Sequence, residues 1–149
     1  MYIAKNNDVV KQIADTQEEL ENKLKFMIYT SIEETDEVYQ EYIPTGEFLT
    51  LDAINAKEQE RIAQLHLTRG DVFRALLQAK GVTRDMLRAE ILKMPESVQR
   101  EMALIDFDEA LDFYRGNPLI DTIGATLDID KDQLDRFFQS NDYHDLIKG

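Results

Sequence analysis

Cysteine is absent from this 149-residue chain, which excludes disulfides, thiolate zinc sites and cysteine nucleophiles together. Histidine is almost as scarce, and His66 and His144 share no metal-type spacing. No Ser–His–acid set and no glycine-rich phosphate loop can be assembled. Carboxylate pairs abound, but with 30 Asp and Glu residues their proximity in sequence carries no information. The expectation is a non-enzyme with no catalytic, cofactor-binding or metal-binding residues. No apolar run approaches the roughly 20 residues that span a bilayer. The first residues, Met1 to Asp8, lack the basic start, apolar core and small-residue cleavage site of a secretory signal. A cytoplasmic protein without a membrane partner is expected.

What is present is charge. Hydrophobic residues make up 43% and charged residues 32% of the chain, with a formal net charge of −13. That balance is ordinary for a globular protein. The acidic field repels phosphates, so nucleic acid and anionic membranes are disfavoured as general partners.

The N-terminal third reads as mixed structure. Tyr2–Lys5 and Val9–Ala14 flank the turn cluster Asn6-Asn7-Asp8 and suit a hairpin, although Val9–Ile13 also fits a helix. Thr16 to Glu19 fits a capping box, with Leu20, Leu24 and Met27 continuing a helical face. From Ile28 the period becomes two, through Thr30 and Ile32, which predicts a strand. Val38–Ile43 and Glu47–Leu51 flank Pro44-Thr45-Gly46 and predict a second hairpin. Residues 1–51 form a small α/β lobe that has too little apolar surface to stand alone and packs on the C-terminal part of the chain.

Residues 52–149 read as a helical domain. Ala53, Ile54, Ile62, Leu65 and Leu67 predict one amphipathic helix of about four turns. Thr68 caps a helix with the stripe Val72, Phe73, Leu76, Leu77 and a stop at Gly81. Thr83 caps the next, with Leu87, Ile91 and Met94 on its buried side. Pro95 starts a segment with two apolar faces, Val98–Met102–Ile105 and Phe107–Ala110–Leu111–Tyr114, both expected to meet neighbours. Asp106 to Glu109 offers a further cap within it. Gly116-Asn117-Pro118 ends that segment. Leu119–Leu127 is a short helix, Asp130 caps the next with Leu134, Phe137 and Phe138 inward, and Ser140 to Asp142 closes it. The tail, Tyr143 to Gly149, docks through Tyr143, Leu146 and Ile147 or frays. The predicted class is α+β, predominantly helical.

The run Gly81 to Leu87 has an echo in Asp128 to Leu134: apolar residue, cap, cation, aspartate, any residue, leucine. Val72 and Leu76 match Leu119 and Ile123. The pattern gives two helix-turn-helix-like units, either by duplication or by convergence on the same capping chemistry. In the second unit Ile123, Leu127, Ile129 and Leu134 resemble the DNA-binding helix-turn-helix family, which implies a second helix that reads the major groove. That helix, however, carries Asp130, Asp132 and Asp135, and Gly124 and Asp128 depart from the family pattern. Asp128, Asp130 and Asp132 also fail as a calcium loop, because Gln133 and Gln139 stand where glycine and glutamate are needed. Arg69-Gly70-Asp71 spells an integrin-type tripeptide, without meaning in a cytoplasmic helix start.

Between Arg69 and Lys93 there are six basic and three acidic residues, the one basic island of the chain. Arg69, Arg74, Lys80, Arg84 and Arg88 are the candidate partner-binding residues. Arg84 and Arg88 lie one helical turn apart and suit either a clamp on an anion or internal salt bridges.

Short strings at both ends resemble phage and prophage proteins of unknown function: Met1 to Lys5, Asp15 to Leu20 and Glu33 to Glu37 at the start, Phe113 to Asn117 and Leu134 to Phe138 near the end. The resemblance implies virion assembly or host interaction. The expected function is thus non-catalytic protein–protein binding by a phage-encoded factor. A nucleic-acid-binding regulator and an acidic mimic of DNA are the alternatives.

Overall fold

Asn7 takes a positive φ of 56° and turns the chain between two strands, β1 (Tyr2–Asn6) and β2 (Val9–Ala14). In the computed structural model, which describes residues 1–147, β1 is the centre of a three-stranded antiparallel sheet, flanked by β2 and β3 (Ser31–Glu34). The ladder shifts register between Ala4 and Lys5. Helix α1 (Gln17–Lys23) begins where the Thr16 hydroxyl accepts from the Glu19 N–H at 3.2 Å. Leu20 and Leu24 are buried with Ala4 and Ala14, and these four make a small core. Met27 and Ile28 are exposed, so the helical face ends at Leu24 and the strand starts later than the alternation predicts.

The second predicted hairpin is formed by β4 (Tyr39–Tyr42) and β5 (Glu47–Thr50), closed by Gly46 at φ 72°. Helix α2 (Leu51–Ala63) comes next, and the Tyr42 hydroxyl donates to Glu58 at 2.7 Å. The chain divides into two compact units between Gln59 and Glu60, inside this helix.

In the second unit, Leu65 and Leu67 do not extend α2. They lie beyond its end, and Leu67 belongs to a short strand, β6 (His66–Thr68), paired antiparallel with β7 (Asp112–Tyr114). Backbone bonds lengthen the ladder: Arg115 N–H to Leu65 O at 2.8 Å, and Arg69 N–H to Leu111 O at 2.9 Å. Phe113, expected on a helix, is a fully buried strand residue.

Three helices of this unit carry the predicted N-caps, and a fourth takes its cap from the Gly116-Asn117-Pro118 stretch expected only to end the preceding segment. Thr68 starts α3 (Arg69–Lys80), and Gly81 at φ 67° ends it; Thr83 starts α4 (Arg84–Leu92). Asn117 and Pro118 start α6 (Pro118–Leu127), and Asp128 at φ 56° ends it. Asp130 starts α7 (Lys131–Ser140) with a reciprocal bond from the Gln133 side chain, and Asn141 at φ 54° ends that helix. A 3-10 turn over Tyr143–Leu146 comes last, with Leu146 buried and Ile147 exposed. The rest of the expected tail, Lys148 and Gly149, lies outside the described residues. The core gathers Val72, Phe73, Leu76, Leu87, Ile91, Leu104, Phe107, Phe113, Leu119, Ile123, Leu134 and Phe137 around these helices.

Helix α5 (Val98–Glu109) corrects the expectation for the segment after Pro95. Its cap is Ser97, whose hydroxyl accepts from the Arg100 N–H at 3.1 Å. Asp106 to Glu109 lies in its last turn and caps no helix. Leu104 and Phe107 are buried, while Val98, Met102 and Ile105 are 71, 60 and 56% exposed. Neither predicted face holds as drawn: the first stays in solvent, and the second breaks where the helix ends, with Phe107 buried but Leu111 and Tyr114 exposed beyond it. Overall the chain is α+β and mostly helical, and no described helix is long and apolar enough to cross a membrane.

Candidate functional site

The echo in the sequence is an echo in space. Gly81 and Asp128 both end a helix in the left-handed conformation, and Thr83 and Asp130 both accept from a backbone N–H three residues on. Val72 and Leu119, Leu76 and Ile123, Leu87 and Leu134, and Ile91 and Phe138 are buried at matching positions. The two units differ one turn before the helix stop. The second has Gly124, where an added methyl would lie 2.8 Å from Leu134 Cδ1 and 2.9 Å from Ile129 O. The missing side chain lets the turn fold down, and Ile129 becomes buried while its N–H reaches Gly124 O at 2.8 Å.

The first unit has Leu77 at that place, 51% exposed, and its counterpart of Ile129 is the half-buried Val82. A leucine side chain cannot fit where Gly124 fits, so the corresponding space stands open. It is a cleft of about 360 Å³ with Phe73, Leu77 and Val82 as its apolar lining. Gly70 and Thr83 complete the walls, and Arg69, Arg74 and Arg84 stand along its edge. Its volume falls in the range of ligand-binding clefts.

The five candidate cations have separate fates. Arg69 is half-buried, donates from Nη1 to Phe107 O and lies 4.8 Å over the Phe73 ring, so it fastens α3 to the end of α5. Arg74 is exposed and pairs with Asp71 across one turn at 2.7 Å. That hydrogen bond, with one from Thr68, holds the Asp71 carboxyl below the usual carboxylate range. Lys80 is half-buried in the last turn of α3, away from the cleft. Arg88 turns to α5 and meets Asp108 through both Nε and Nη2 at 3.0 Å. The same bidentate contact lowers the Asp108 pKa and raises that of Arg88. Arg84 is exposed at the cleft and forms no ion pair among the described residues.

Arg84 and Arg88 therefore do not clamp one anion between them: one is tied to α5, and the other faces the cleft. The sequence placed Leu77 in the buried stripe and missed it as a lining residue, although the contrast with Gly124 at the matching position was the available signal. Among the described residues, no group of His, Asp and Glu is arranged to hold a metal ion. Comparison with protein-family models, curated proteins and solved structures finds no match.

Proposed function

We propose that this chain is a non-catalytic protein-binding factor that holds a segment of a partner in the α3–α4 cleft. The observation that carries this reading is an apolar cleft edged by arginines in a chain of net charge −13. Apolar lining supplies affinity when water is displaced, and the cations select for acidic neighbours and orient them. A phosphate backbone would leave Phe73, Leu77 and Val82 unmatched. The corresponding helix of the second unit, with Asp132 and Asp135, adds repulsion rather than a second foothold for DNA. The resemblance to phage proteins supports a role in virion assembly or host interaction, carried out in the cytoplasm.

Tagged wild type and the double variant Leu77→Glu/Arg84→Glu serve as baits in a lysate of host cells that also make the untagged chain. Both substituted side chains are exposed, so the fold is expected to survive, and circular dichroism checks it. Wild type retains a stoichiometric partner that the variant loses. Equal capture by the two, or capture by neither, overturns the reading.

A further inference from the structure

Two surfaces of the second unit are left without a partner, and they complement one another. The first is the α3–α4 cleft, apolar inside with Arg74 and Arg84 exposed at its edge. The second is the solvent face of α5. Val98, Met102 and Ile105 recur there at spacings of four and three, which aligns them along one stripe. Three large side chains on one helix, each more than half exposed, mark an unpartnered contact face. The charged residues beside that stripe are acidic: Glu101 lies between Val98 and Ile105, and Glu109 lies one turn beyond Ile105, both exposed. The one cation of the helix, Arg100, is mostly buried and already bonded to Glu101 and to Met94 O.

From this pairing we infer that the cleft of one molecule receives the α5 face of a second copy. The inference rests on the cleft being a protein-binding site and names its occupant. Apolar side chains from Met102 and Ile105 seat against Leu77, Phe73 and Val82, and Glu109 approaches Arg84, while Arg74 and Glu101 keep their own partners, Asp71 and Arg100, at the rim. An amphipathic helix laid in an apolar groove with three to four residues between anchors is a recurrent mode of recognition. Each molecule offers one cleft and one face, so the contact is heterologous and propagates head to tail, into a ring or an open filament. The acidic charge of the whole chain opposes close approach. At 0.15 M ionic strength the Debye length is about 8 Å, so that long-range repulsion is screened while contacts between paired side chains persist.

The test is sedimentation of the full chain over a wide concentration range at physiological salt. Wild type is expected to grow in mass beyond the 17.3 kDa monomer as concentration rises. Leu77→Glu/Arg84→Glu removes the cleft, and Met102→Lys/Ile105→Lys removes the face; each variant alone is expected to remain monomeric. Their equimolar mixture is expected to form a dimer and to stop there, because each supplies the half that the other lacks. Truncating central interface anchors commonly weakens binding by about tenfold or more, which sedimentation resolves. A wild type that stays monomeric throughout overturns the inference. So does a cleft variant that still associates, or a mixture that remains monomeric, which would signal a symmetric face-to-face contact or none. Should the wild type be monomeric while the cleft still captures a different protein from the lysate, the second copy is the wrong occupant and the binding reading stands.

Discussion

At the scale of single residues, the arginines divide into those that hold the fold and those that face outward. Arg115 is the clearest of the first kind. Its side chain is 8% exposed and donates to Asp135 at 2.7 Å and to Asp121 at 3.0 Å, tying the end of β7 to α6 and α7. The two carboxylates are partly exposed and can rehydrate, so Arg115→Ala loses its charged hydrogen bonds and its packing without stranding a buried charge. The expected cost is about 2 kcal/mol, read from urea unfolding. Arg88 and Asp108 are more exposed, and their pairing is a weaker surface contact. Its signature is pH dependence. The Asp108 pKa is depressed in the folded chain by the Arg88 hydrogen bonds, so the contact stabilises above the unfolded carboxylate pKa of about 3.9 and is lost as pH falls through the lower folded value. Thermal unfolding of wild type and Asp108→Asn is expected to differ near neutrality and to converge in acid.

At the scale of elements, two glycines with close neighbours make opposite predictions. A methyl on Gly124 meets a backbone oxygen and a packed leucine, so Gly124→Ala is expected to cost about 2 kcal/mol by overpacking. On Gly70 it meets only the tip of the Arg74 side chain, which can swing away, and Gly70→Ala should leave the melting temperature nearly unchanged. Capping chemistry was the most legible feature of the sequence. Thr16, Thr68, Thr83 and Asp130 all cap, because an N-cap is a local interaction across three residues, although Thr16 forms only its own half of the predicted capping box. The β6–β7 ladder was not legible. Its strands have three residues each, too short for an alternation to show, and what fixes them is a pairing of distant segments. The outward stripe of α5 was legible as apolar but not as unpartnered, since a sequence shows which residues share a face and not which face meets the core. The cleft falls between these cases: its arginines were visible as a basic island, while its opening depends on a leucine, Leu77, standing where the second unit has Gly124.

At the scale of the molecule, charge decides what approaches. With 30 acids against 17 Lys and Arg, wild type is expected to show no binding to random duplex DNA even at low salt, where phosphate contacts are strongest. Electrophoretic mobility shift measures this, with Arg84→Ala/Arg88→Ala as the comparison; salt-sensitive binding lost in that variant would favour the nucleic-acid regulator instead. The β6–β7 ladder has a consequence in time. It joins residues 66–68 to residues 112–114, so α3, α4 and α5 all lie within one loop that it closes. Closing a loop of that length is slow compared with forming a local helix turn. A growing chain can therefore complete the sequence of its first helix pair early and still lack Phe113, which fills the centre of the core. The Leu77 cleft and the α5 stripe, both apolar, are made before the strand that secures them. Synthesis thus passes through a stage at which both apolar surfaces exist on an unfinished chain, and Tyr114 must emerge before the ladder can close.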